Sequence, residues 1–241
     1  MLPSIKPLLV IVAITVLAGC ATPVPKIDSS PDALANVKTI AVIRSPEPKT
    51  YTVLHFGCPT CMFVGPLGVL AEEANRKSKQ DILTHAIREK NETPTAGVLA
   101  QSIATQLTRR GFIAKVEEGP WEWNESDNHF QLEHEKITSS ADAVLLVAPG
   151  TVGFIAKRPS SDYLPTILVV TTLLGKDRKE LLYRGYHAVG WKPPNDGWRH
   201  SPPKVTFSDF DALMADPEKT AAALTDAASE IAVTVAEDLK R

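Results

Sequence analysis

The sequence predicts an α/β fold of the two-layer α+β kind: a mixed sheet with elements in the order β-α-β-β-β-α and helices packed on it. Three observations carry that prediction. Three strand-like runs, 143–147 extending towards 155, 166–174 and 180–189, follow one another with no helix between them. A helical stretch at 95–110 separates an early β-branched run from the next strand candidate. Near the end of the chain, Leu224, Ala228, Ile231, Val235 and Leu239 recur at spacings of 4, 3, 4 and 4, which lines one face of a helix.

Taken in order, Pro23, Pro25, Ser29, Ser30 and Pro31 sit in a segment of little apolar content that reads as an extended tether up to about residue 35. Val37-Lys38-Thr39-Ile40-Ala41-Val42-Ile43 is a β-branched-rich strand, stopped by Ser45-Pro46-Glu47-Pro48. Residues 51–56 make a second strand-like run. In the apolar segment 62–74, Leu67, Leu70, Ala71 and Ala74 give about two helical turns. Residues 76–93 are polar, although Ile82, Leu83, Ala86 and Ile87 fit a helical face.

Leu99, Ile103 and Leu107 line one face of the 95–110 helix, with Thr95 as its cap and Gly111 at its end. Residues 112–116 read as a strand. Residues 117–140, polar and aromatic in turn, read as a loop-rich insertion. Gly175-Lys176-Asp177-Arg178 is a tight polar turn, so the runs on either side should form an antiparallel hairpin. Ile167-Leu168-Val169-Val170 is apolar on both faces, which places that strand centrally, beneath a covering layer. Residues 190–206 read as a loop and 208–214 as one short helix. Asp216-Pro217 starts the last helix, with Asp as N-cap and Pro at the first position.

The N-terminus carries Lys6, an apolar run from Leu8 to Leu17, and then Leu17-Ala18-Gly19-Cys20. That run is too short for a permanent membrane helix, and the order aliphatic, small, Gly, Cys resembles the lipobox that ends a bacterial lipoprotein signal peptide. The expected organisation is a signal peptide at 1–19, a lipidated Cys20 with a flexible tether at 20–35, and one periplasmic α/β domain at 36–241. Processing would leave 241 − 19 = 222 residues. Acyl chains on Cys20 would supply the two signals that stable anchoring needs. Ala21 in place of Asp after that cysteine favours the outer membrane in the lipoprotein class it resembles.

With 44% hydrophobic residues, such a chain can bury one sizeable core. The net charge of −2 and the isolation of Arg109-Arg110 and Lys157-Arg158 argue against a nucleic-acid partner.

Cys58-Pro59-Thr60-Cys61 is the sharpest chemical candidate, as a catalytic redox pair, a local disulfide or half of a metal site. The order strand, C-x-x-C and then Pro66 resembles the thioredoxin active-site pattern, with Leu164-Pro165 as a mimic of that fold's cis-proline. The three-strand meander opposes that reading. A structural zinc site wants four ligands and no second C-x-x-C exists, so no metal and no cofactor beyond the Cys20 lipid is expected. His129, Glu133, His134 and Glu135 lack the spacing that puts two His on one helix face, and read as a polar loop. His187 shares a strand face with Leu181, Tyr183 and Val189, and reads as a partly covered sheet residue. Nucleotide and serine-hydrolase motifs are missing. Trp191 and Trp198, in a loop stiffened by Pro193, Pro194, Pro202 and Pro203, are candidate anchors for a protein partner.

Ala141-Asp142-Ala143-Val144-Leu145-Leu146-Val147, the hairpin through Gly175 and Leu181-Leu182-Tyr183, and the terminal helix resemble a family of bacterial outer-membrane lipoproteins of unassigned activity. Asp162-Tyr163-Leu164-Pro165 and the segment from Phe210 to Pro217 agree. More remotely, the element order resembles the curli-secretion lipoprotein, the penicillin-binding-protein activator lipoprotein and the N-terminal domain of TolB. The resemblance implies a fold and no catalytic residues. The expected function is therefore a non-enzymatic binding or assembly module of the cell envelope. It is anchored to the periplasmic face of the outer membrane and meets a protein partner or a second copy. The alternative is a membrane-tethered thiol–disulfide protein using Cys58 and Cys61.

Overall fold

A computed structural model describes residues 25–57, 66–90, 94–125, 129–158, 161–195 and 197–240, without the side chains of 66–69 and 129. A seven-stranded mixed sheet runs in the order β3 (Ile113–Glu118), β1 (Thr39–Arg44), β6 (Ala143–Ala156), β7 (Tyr163–Leu174), β8 (Leu181–Val189), β9 (Trp198–Ser201). β1 pairs in parallel with the first half of β6, and β2 (Thr52–His55) with its second half, so one long strand serves two short ones. β6, β7 and β8 form the expected antiparallel meander, and β9 closes the far edge parallel to β8. The turn between β7 and β8 places Arg178 at a φ of 62°, and the Asp177 carboxylate accepts from the N–H groups of Lys179 and Glu180.

All the long helices lie on one face of the sheet. They are α2 (Pro66–Lys90), α3 (Thr95–Arg109) and α5 (Pro217–Asp238), with α1 (Pro31–Leu34) and α4 (Phe210–Ala215) as short pieces. Leu224, Ala228, Ile231, Val235 and Leu239 are fully buried against Leu99, Ile103 and Leu107 of α3 and the sheet residues Ile167, Val169 and Leu173. Burying each large aliphatic side chain is worth about 1.5–3 kcal/mol. Asp216 caps α5 by accepting from the Lys219 N–H, with Pro217 at the first position as the sequence indicates. No described helix is long and apolar enough to cross a membrane.

Several expectations need correction. Residues 117–140 are not a long loop: β3 runs on to Glu118, and β4 (Trp121–Asn124) pairs with β5 (His129–Leu132) in an antiparallel hairpin. The alternation in Trp121-Glu122-Trp123-Asn124 drives it. Leu132 and Ile137 fold onto the face of the sheet opposite the helices, where they meet Ala41, Ile43, Val144 and Leu146. Residues 66–90 make one helix rather than two turns and an ambiguous tract. Its buried contacts lie at Leu83, Thr84 and Ile87, and ion pairs along its surface, such as Arg76 with Glu73 at 2.5 Å, support the polar remainder.

Thr95 does not cap α3. The Glu47 carboxylate, arriving from the loop after β1, accepts from the N–H groups of Thr95 (3.2 Å) and Ala96 (2.8 Å), while the Thr95 hydroxyl meets that of Tyr51 at 3.1 Å. Residues 190–206 are not all loop, since β9 forms within them. The chain is also folded onto the domain before residue 36. Ile27 forms an antiparallel bridge with Arg184 of β8, the Ser29 hydroxyl donates to the Asp238 carbonyl, and Leu34 is fully buried.

Candidate functional site

The hairpin β4–β5 covers only the β1 half of the sheet face opposite the helices. Beyond it, the even-numbered side chains of β7, Leu168 and Val170, form the floor of a groove of 670 Å³. One wall is the hairpin, through Trp121, Trp123 and Phe130, and Trp198 of β9 lies on the other side. The near end is the loop after β1, from Ser45 to Thr52. β6 contributes 148–152, where its pairing with β7 slips at Gly150 and Thr151.

The walls are held in place by their own contacts. The Trp121 indole N–H donates to the Arg44 carbonyl at 2.8 Å. Gly119 is required beside it, because a Cβ there would fall 2.4 Å from the Trp121 ring and 2.5 Å from Ile43. Trp123 packs edge-on against Phe130 with ring centroids 4.9 Å apart, and the Lys49 ammonium sits 3.3 Å from the centre of the Trp123 ring. Trp198 packs on Tyr186 at 5.4 Å. At the near end, Ser45 is 5% exposed and its hydroxyl has no hydrogen-bond partner among the described residues. Leaving such a group dry and unpaired costs about 1–3 kcal/mol.

On the helix side, β9 is fixed by a buried polar cluster. His187, fully buried, brings Nε2 to 2.8 Å from the Tyr183 hydroxyl and Nδ1 to 3.0 Å from the Thr234 hydroxyl. Thr234 donates its own proton to the Ile231 carbonyl, and the Tyr183 hydroxyl donates to the Asp238 carboxylate at 3.1 Å. Burial pushes the His187 pKa down to about 4, against the pull of the Asp238 carboxylate 4.0 Å away. Burial likewise raises the Tyr183 phenol above its usual range. Gly185 leaves room for this cluster, since a Cβ there would stand 1.8 Å from the Tyr183 oxygen. Arg199 of β9 pairs with Glu237 and Asp238 at the end of α5. Strand alternation then puts its neighbour Trp198 on the groove side. The cluster positions a wall of the groove from behind.

The two tryptophans expected to act together are separated. Trp198 lines the groove, whereas Trp191 packs on Phe56 at 4.9 Å beside a second hollow with Lys157, Lys192 and Pro193. Trp121, Trp123 and Phe130 were not expected as site residues, although their alternating pattern was there to be read. His187 is more deeply buried than a partly covered strand residue.

Cys20, Cys58 and Cys61 lie outside the described residues. Pro165, proposed to imitate a cis-proline, lies within β7 opposite Phe154, and its peptide bond is trans. Glu133 pairs with Lys136, and no three or more His, Cys, Asp or Glu among the described residues gather as a metal site would require.

No family model matches the chain, and no curated protein does. Among solved structures, the PelC dodecamer from Paraburkholderia phytofirmans aligns at 14% identity over 90% of this chain and 98% of that one, with a TM-score of 0.36. A point variant of the same dodecamer aligns at 14% over 90% and 96%, with a TM-score of 0.34. Protein XCC0632 from Xanthomonas campestris, described under the family DUF330, aligns at 12% over 83% and 84%, with a TM-score of 0.39. At such scores these likenesses bear on neither function nor assembly.

Proposed function

We propose that this chain is an outer-membrane lipoprotein, anchored through acylated Cys20, whose periplasmic domain is a non-enzymatic binding module of the cell envelope. The groove between the β4–β5 hairpin and Trp198 is its docking site. One observation carries the reading: part of the sheet face opposite the helices carries a groove lined by three tryptophans and a phenylalanine, with the buried Ser45 hydroxyl, unpartnered among the described residues, at its end. Aromatic side chains lining a concavity are the usual anchors of a binding surface. The lipobox-like Leu17-Ala18-Gly19-Cys20 supports the address.

Two measurements test it in the native host. Mass spectrometry of the purified chain should find residues 1–19 removed and acyl chains on Cys20; an uncut, unmodified N-terminus overturns the anchor. A photo-crosslinking phenylalanine analogue at Val170, on the groove floor, should give a discrete adduct with an envelope protein or a second copy. The same analogue at exposed Asp226 of α5 should not. Equal or absent adducts from the two positions overturn the groove as a docking site.

A further inference from the structure

We infer that residues 25–33 form a strap that locks one wall of the groove: docked, the strap braces the last turn of α5, and that turn holds β9 with Trp198. The inference rests on contacts within the chain and not on the groove being a docking site.

The end of α5 is weak on its own. Its last turn carries Glu237 and Asp238 and no basic residue. Carboxylates at the negative end of the helix dipole disfavour that turn, and the final carbonyls of a helix have no partner inside it. Help comes from outside. Arg199 of β9 pairs with both carboxylates, and the Tyr183 hydroxyl donates to that of Asp238. From the strap, the Ser29 hydroxyl donates to the Asp238 carbonyl. One helix end is thus held jointly by the strap and by the strand that carries Trp198.

The strap itself is lightly held. Ile27 and Arg184 exchange two backbone hydrogen bonds, at 3.0 and 2.8 Å, as an isolated bridge. The Ser29 bond comes next along the chain, and residues 25–33 are all exposed or half-buried. Leu34 differs: it is fully buried, and its N–H donates to the Ser30 carbonyl at 3.1 Å. The strap therefore has two states, docked at Ile27 and Ser29 or peeled back as far as Leu34. Peeling leaves the Asp238 carbonyl to solvent, so the last turn of α5 frays more readily. β9, four residues long and tied to that turn through Arg199, opens with it. With Cys20 acylated, a pull from the membrane would arrive at the Ile27 bridge. Peeling would then lengthen the span from Cys20 to its fixed point from 27 − 20 = 7 Cα steps to 34 − 20 = 14.

Hydrogen exchange of the full chain in detergent, read by mass spectrometry, tests this. Ser29→Ala removes the donor to Asp238, and Ile27→Pro removes the N–H that donates to Arg184. Each should raise exchange at 198–201 and at 236–238 by about 5- to 10-fold, the worth of one hydrogen bond. Exchange at 168–172 of β7 should not change. Asp28→Ala, which breaks an exposed pair with Lys26 on the same strap, should leave 198–201 at the wild-type rate. Coupling is reciprocal, so Arg199→Met should in turn speed exchange at Ile27 and Arg184.

Wild-type exchange at 198–201 in both strap variants overturns the inference, and so does an equal rise in β7. A rise in Asp28→Ala as large as that in Ser29→Ala, or unchanged exchange at Ile27 and Arg184 in Arg199→Met, overturns it too. The Val170 adduct tests the docking groove separately, so either reading can fail alone.

Discussion

His187 gives the fold a pH dependence whose sign and size follow from its surroundings. Tyr183 and Gly185 face it from the sheet, Thr234 and Asp238 from α5, and Arg199 from β9, with Lys26 also within electrostatic reach and Thr171 bonded to the Tyr183 hydroxyl. Its native pKa lies near 4 against an ordinary value of 6.5. Between those values the unfolded chain binds a proton that the native chain refuses, so stability falls as pH falls through that window. The shift corresponds to about 3 kcal/mol lost between pH 7 and pH 4. The effect is large on the scale of the about 5–15 kcal/mol by which folded domains are stable. The perturbation is His187→Gln, which keeps one donor and one acceptor and cannot be charged. Urea unfolding at pH 7, 6, 5 and 4 should show the gap between wild type and variant narrowing by about 3 kcal/mol towards pH 4, at constant m-value. Parallel curves would refute a neutral, buried imidazole at this position.

Further outcomes follow from other contacts. Ile231→Ala, at a fully buried position of α5, should cost about 2–5 kcal/mol in urea unfolding. Glu47→Ala removes the acceptor for two N–H groups at the start of α3, and should cost about 1–2 kcal/mol in the same assay. Gly119→Ala should disturb the groove before the core, because its Cβ must displace Trp121: the tryptophan emission should shift while the far-ultraviolet circular dichroism stays put. Arg199→Met should leave α5 folded but free β9, raising hydrogen exchange at 198–201 above that of β7.

The helices and the central strands were legible because their apolar residues obey one period each. Leu224 to Leu239 and Leu99 to Leu107 repeat with the helix, and Ile167 to Val170 sits in the middle of the sheet as its two apolar faces indicate. What escaped reading was stabilised from elsewhere. Glu47 caps a helix 48 residues away from it, which no local pattern at Thr95 reveals. α2 has few apolar residues and is held by docking Leu83 and Ile87 and by surface ion pairs of Glu73 with Arg76 and Lys77. β9 is only four residues long and owes its place to α5 through Arg199. The groove itself joins residues from 45 to 198, so only Trp198 was available as an isolated hint, and its proposed companion Trp191 belongs to a different hollow.

The bridge between Ile27 and Arg184 sets the length of the leash. Only six residues, and so seven Cα–Cα steps, separate Cys20 from Ile27, where the chain bridges to Arg184 of β8. Fully stretched, they reach about 25 Å. If Cys20 carries the proposed acyl chains, the domain would ride within about that distance of the lipid, with the Ile27–Arg184 bridge on the side nearest it. A partner would then have to meet it close to the membrane.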